Sequence, residues 1–202
     1  MGQGKSPDIL VCLSENHSTL CFGSLTSFGS SDDPSSNLST LAKTGLSFTN
    51  AFCSNAGAAR TAFPILTGRP FDPAAPMWSE KNLLPWKLKQ IGYETALFGS
   101  WNWTISPKKA GFDHWGILSD SSQFYNPTIL SDRSSRKTEG HATDLITDLF
   151  LDWFRNHRQR NKPFFVLLSY NGAQRPWIPP IRFLNEYNED WRSEEHTSEL
   201  QS

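Results

Sequence analysis

The 202-residue chain is long enough for one domain with a sizeable core, and its 37% apolar and 13% aromatic content excludes a disordered polymer. Nineteen basic against 20 acidic residues give no positive field to favour nucleic acid or an anionic membrane, so neither is expected as a partner. No apolar run approaches the roughly 20 residues that span a bilayer, and MGQGKSPDIL lacks the apolar h-region of a signal peptide.

MGQGKS fits the short myristoylation pattern Met-Gly-x-x-x-Ser, which arises often by chance. Asp8 to Leu13 (DILVCL) predicts a strand buried on both faces, with Cys12 as core. The three cysteines (Cys12, Cys21, Cys53) are odd in number and lack zinc spacing. Leu20 to Ser36, rich in Ser, Gly and Asp, reads as loop, and Asn37 to Thr44 before Gly45 as a short helix. LSFTNAFC, Leu46 to Cys53, alternates like a strand. Ala58 to Leu66 predicts a helix capped near Gly68, where Pro64 fits poorly unless it lies near the first turn.

Lys81 to Ile91 predicts a helix stopped by Gly92, and Tyr93 to Gly99 the next strand. Trp101 to Asp120 reads as an aromatic loop. Between Gly140 and Arg160, Ala142, Leu145, Ile146, Leu149, Phe150, Trp153 and Phe154 follow helical spacing, which leaves Asp144 and Asp148 as solvated surface. Pro163 to Tyr170 is another buried strand, followed by the Pro-rich RPWIPP. The last eleven residues, RSEEHTSELQS from Arg192, look like a translated sequencing-library adapter and have no structural period. Leaving them out removes one Arg and three Glu, giving 18 basic and 17 acidic residues, and residues 1–191 then read as a truncated piece.

Strands alternating with helices predict an α/β fold, a mainly parallel sheet flanked by helices. Ligands bind such sheets beyond the carboxyl ends of the strands. That rule selects Glu15-Asn16-His17, Ala56 to Thr61, Ser100-Trp101-Asn102 and Gly172 to Pro176 as one shared rim. Trp101, Trp103, Trp115 and Trp177 either stack on a sugar or aromatic ring or pack on their own scaffold, packing being the commoner fate.

The order of PDILVCLSENHS, GLSFTNAF…ILTGRP, LKQIGYETALFGSWNW, KAGFDHWG, HATDLITDLFLDWF and KPFFVLLSYNGAQRPWIPP resembles the N-terminal part of the sulfatase family, from about Pro7 to Tyr187. The resemblance implies an alkaline-phosphatase-like fold, hydrolysis of sulfuric esters, and a calcium-type divalent cation beside the nucleophile. It also implies secretion or a lysosomal address, which no signal in this chain supports. The family nucleophile is a cysteine oxidised to formylglycine in a Cys-x-Pro-x-Arg stretch. Counting back from LTGR puts Ala58 at that position; anchoring on Arg60 puts Ala56 there. Alanine has nothing to oxidise, so no formylglycine is expected.

The family's Asp-Asp pair corresponds to Glu15 and Asn16, the residues expected to meet a metal, with one carboxylate in place of two. Its Lys-Trp-His corresponds to Ser100-Trp101-Asn102, and its loop histidine to Gln174. The principal expectation is therefore a catalytically inactive family member that binds an anionic or sugar-like small molecule on the rim. Two alternatives stand beside it. Thr61 is the nucleophile of a metal-dependent phosphotransferase or phosphodiesterase, or the chain is a fragment without independent function. Cys53, early and without the motif's Pro and Arg, is a poor nucleophile; Arg60 either binds an anion or is solvated, and His17 is a loop histidine more readily than a general acid.

Overall fold

The computed structural model describes residues 6–17, 36–48, 50–52, 58–70 and 79–184. Its frame is a six-stranded sheet in the order β1-β6-β2-β3-β4-β5, formed by β1 (Ile9–Ser14), β2 (Glu94–Gly99), β3 (His114–Leu118), β4 (Thr128–Ser131), β5 (Ser135–Lys137) and β6 (Phe164–Tyr170). β1, β6, β2 and β3 run parallel, while β4 and β5 add antiparallel at the far edge. The helices are α1 (Ser36–Thr44), α2 (Ala58–Thr67), α3 (Leu84–Gln90) and α4 (Ala142–Asp152).

Period-2 alternation divides the central strands between two cores. Leu97, Ile117, Phe165 and Leu167 face Leu66 of α2 and Leu83, which opens α3. Ala96, Phe98, Val166 and Leu168 face Ile146 of α4. α4 starts at His141, whose Nδ1 accepts from the Thr143 amide at 3.2 Å. It continues into a π-helical turn, Trp153–His157, whose Trp153 ring meets Phe164 edge-on at 6.0 Å.

Several expectations are corrected. Among the described residues β1 is an edge strand with alternating exposure, because β6 pairs with it on one side and α4 covers β6 and β2 but not β1. Leu10 and Cys12 consequently lie exposed, and Cys12 is not core. Of LSFTNAFC, residues 46–48 and 50–52 form no strand, and Phe48 and Phe52 are exposed. The aromatic loop contains β3, where Trp115 and Ile117 join one core. The predicted helix over 81–91 is a 3-10 turn at Glu80–Asn82 followed by α3, because Pro85 near the N-terminus of α3 suits a helix start. Pro64 lies well inside α2 rather than in its first turn; the helix runs on to Gly68, whose positive φ and amide bonded to Pro64 O close the C-terminus. Asp144 is not simply solvated: Arg182 grips it with two hydrogen bonds of 2.6 and 2.7 Å, which hold its carboxyl below the usual carboxylate range. Asp148 is exposed, as expected.

Among the described residues no helix is long and apolar enough to cross a membrane. The myristoylation pattern (residues 1–5), Cys21, Cys53 and the suspected adapter tail lie outside them.

Candidate functional site

The parallel strands deliver their carboxyl ends to one rim. Glu15 follows β1 directly, its amide donating to Tyr170 O at 3.0 Å, so its side chain is presented to the end of β6. There the Ser169 hydroxyl donates to Oε1 at 3.1 Å and the Gln174 amide donates to Oε2. Two of the expected site residues, Glu15 and Gln174, distant in sequence, thus form one hydrogen-bonded unit. Burial pushes the Glu15 carboxyl above its usual range, against the opposing pull of the two donors.

Ser100 and Asn102 form the second part of the rim. Gly99 lets β2 approach β6 so closely that a Cβ there would lie 1.9 Å from Ser169 O, and the Ser100 amide bonds that same oxygen at 2.9 Å. Ser100 is buried and its hydroxyl has no hydrogen-bond partner among the described residues. Asn102 Oδ1 accepts from the Ser121 hydroxyl at 3.3 Å. Ser121 O in turn accepts from Asn171 Nδ2 at 2.6 Å, which ties this segment to the end of β6.

Asn171, Ser169 and Ser121 were not among the residues expected from sequence. Asn171 is fully buried, and its Oδ1 lacks a partner among the described residues. Among the described residues, Ser100 Oγ and Asn171 Oδ1 are the two rim oxygens buried without a partner, and burying such an atom unpaired is costly. The signal for Asn171 was present: it is the first polar residue after the β6 run, one position before the start assigned to that rim segment.

The four tryptophans separate. Trp101 donates to Ile105 O at 2.8 Å, meets Phe112 edge-on at 5.8 Å and stacks on Trp103 at 5.1 Å. Trp103 stacks in turn on Phe63 of α2 at 5.7 Å. Both are scaffold. Trp115, on β3, packs partly buried against the core that holds Leu97 and Ile117. Trp177, 60% exposed, projects from the Gln174 loop with the Arg175 guanidinium 4.6 Å from its ring centre. This pair places positive charge and an aromatic face beside Gln174.

The nucleophile turn is only partly visible. Ala58, Arg60 and Thr61 occupy the first turn of α2, and nothing is described of their side chains; Ala56 lies outside the described residues. His17 follows Glu15 and Asn16 on the rim. Asn16 takes a positive φ of 60°, a conformation Asn tolerates in tight turns.

The sulfatase family model matches residues 7–199. The chain belongs to the sulfatase family. It is 31% identical over 193 residues to an N-acetylglucosamine-6-O-sulfatase of Bacteroides thetaiotaomicron, covering 91% of this chain and 34% of that protein. A solved structure in complex with its substrate D-glucosamine-2-N,6-O-disulfate superimposes with a TM-score of 0.76 at 30% identity, over 89% of this chain and 37% of the other. A protein crystallised with k-i-k-neocarrahexaose agrees in fold alone, with a TM-score of 0.75 at 17% identity over 92% of this chain and 50% of that one. This sulfatase-family chain therefore spans about a third of the length of the curated relative. Its sheet and flanking helices are those of the alkaline-phosphatase-like fold.

Sulfatases usually work with a divalent cation. The residues present here do not fit one as they stand. Glu15 is a single carboxylate, and both of its oxygens already accept from neutral donors. A cation at Glu15 Oε2 would have to displace the Gln174 amide. Among the described residues, no three His, Cys, Asp or Glu side chains converge on one point.

Proposed function

We propose that this sulfatase-family chain binds an anionic, sugar-like small molecule on its rim without hydrolysing sulfate esters by the formylglycine route. The observation that carries the reading is the Glu15–Gln174 hydrogen bond. It fills with a neutral amide the place where the resemblance implies a histidine and a cation. A neutral amide donates a hydrogen bond but neither carries a proton as imidazole does nor concentrates positive charge. Ala58 or Ala56 at the implied nucleophile position, and Ser100 in place of lysine, point the same way. Losing one stabiliser of developing negative charge typically costs about 10²–10³ in rate, before the nucleophile is considered.

What remains suits binding. Arg175 offers a charge-assisted contact to a sulfate-like oxygen, and Trp177 offers a face for a sugar ring. The solved relative bound to a sulfated glucosamine suggests the substrate class to try first. In a titration with N-acetylglucosamine 6-sulfate followed through the Trp177 indole resonance, the ligand should shift that signal, and Arg175→Gln and Gln174→Ala should weaken the response. An unmoved Trp177 signal at saturating sugar would refute rim binding.

A further inference from the structure

We propose a second saccharide site, away from the rim, in a cavity of about 520 Å³ between α3 and the amino end of β3. Asp113 precedes β3, whereas Ser100 follows β2; the two strands are parallel, so cavity and rim belong to opposite ends of the sheet. The proposal is independent of the rim reading.

The volume lies within the ~300–1,000 Å³ range of small-molecule sites. The walls are fixed. Trp86 Nε1 donates to Lys109 O at 2.8 Å, and Gly111 approaches so closely that a Cβ there would stand 2.7 Å from the Trp86 amide nitrogen. Asp113 accepts from the Thr95 amide and hydroxyl at 3.2 and 3.1 Å and pairs with Lys89, whose ammonium stands 5.6 Å from the Trp86 ring centre. Trp115 supplies a second indole wall, and buried Phe112 supplies apolar surface.

The chemistry of the lining selects the ligand. Two ion pairs, Lys89–Asp113 and Lys108–Asp132, set ammonium donors beside carboxylate acceptors on the cavity wall. A sugar hydroxyl both donates and accepts, so adjacent hydroxyls match such alternation without requiring net charge. The C–H face of a pyranose ring matches an indole face. Lys109 also lines the cavity, and its ammonium has no ion-pair or hydrogen-bond partner among the described residues. It provides for one anionic substituent. The three carboxylates of the lining, Glu80, Asp113 and Asp132, oppose a polyphosphate. The expected ligand is thus a pyranose bearing a single negative group, such as one unit of a sulfated glycan.

The test is a titration of the full chain with D-glucose 6-sulfate and with D-glucose, read through the indole N–H resonances of Trp86 and Trp115. Both sugars should shift these signals, the sulfated one more tightly. Lys109→Gln, an exposed change, should weaken the sulfated sugar about two- to fivefold and leave D-glucose unaffected. Gln174→Ala should change neither titration, which separates this site from the rim. Indole signals that do not move, or a Lys109→Gln protein that keeps the wild-type preference for the sulfated sugar, would overturn the proposal. A response lost in Gln174→Ala would assign the binding to the rim and would equally overturn it.

Discussion

Gly99→Ala places a methyl group against the backbone of β6, and its cost can be worked from two separable parts. The first is conformational. Gly99 has φ +113°, where an L side chain is strained by about 1–2 kcal/mol. The second is contact. The new Cβ would lie 1.9 Å from Ser169 O, while an ordinary C···O approach is about 3.3 Å or more. β2 and β6 would have to part by roughly 1.4 Å, which breaks the 2.9 Å bond from the Ser100 amide to the same oxygen. A buried backbone bond left unmade costs about 1–3 kcal/mol, and displacing a packed strand costs about as much again. The sum is about 3–8 kcal/mol, a large share of the about 5–15 kcal/mol that stabilises an ordinary domain. Gly92→Ala is the control, since Gly92 shares a positive φ of +94° but has nothing within 4 Å of its Cβ position. It should lose only the conformational part. In urea denaturation followed by circular dichroism, Gly99→Ala should unfold at least about 1 M below Gly92→Ala, or be unfolded from the start. Coincident midpoints would refute the close approach of β2 and β6 that positions Ser100.

Phe165→Ala, which empties a fully buried position between β1 and β2, should cost about 3–5 kcal/mol in the same assay, whereas Leu10→Ser on the uncovered face of β1 should stay within about 0.5 kcal/mol. Gln174→Ala should lower stability by about 1 kcal/mol or slightly more by taking one donor from the half-buried Glu15 carboxylate. The Asp144–Arg182 pair sets a pH dependence whose sign follows from the depressed carboxyl: its contribution is complete above the ordinary value of 3.8 and is lost as pH falls through the folded value. Both partners are more than a third exposed, so the pair should be worth roughly 0.5 kcal/mol; Arg182→Ala should reduce the acid sensitivity of unfolding below about pH 4, seen in midpoints measured across pH.

The parts legible in the sequence were those with an uninterrupted apolar signal. The β6 run and the helical spacing of α4 each bury one contiguous surface, and periodicity reports burial. β1 was misread because DILVCL is apolar on both faces while its neighbours cover only one; a strand's place in the sheet is not encoded in its own residues. β4 and β5 were missed because a short hairpin at a sheet edge has little to bury, and SRK is fully exposed. β3 was hidden in a stretch of aromatic and charged residues, where Trp115 both packs on the core and lines the cavity. At the site, the strand-end rule picked out Glu15, Ser100, Asn102 and Gln174. It could not anticipate that a glutamine reaches back to the glutamate, nor that Asn171 would be fully buried. Such contacts between residues over a hundred positions apart depend on strand order.

The rim is proposed to bind its ligand without turnover. That proposal is tested most directly by sulfate release from N-acetylglucosamine 6-sulfate and from an aryl sulfate, measured on the purified protein beside its Thr61→Ala and Gln174→Ala variants. Release should match the buffer blank in all three proteins, while the sugar still shifts the Trp177 resonance of the wild type. Release above the blank that disappears in either variant would contradict the account.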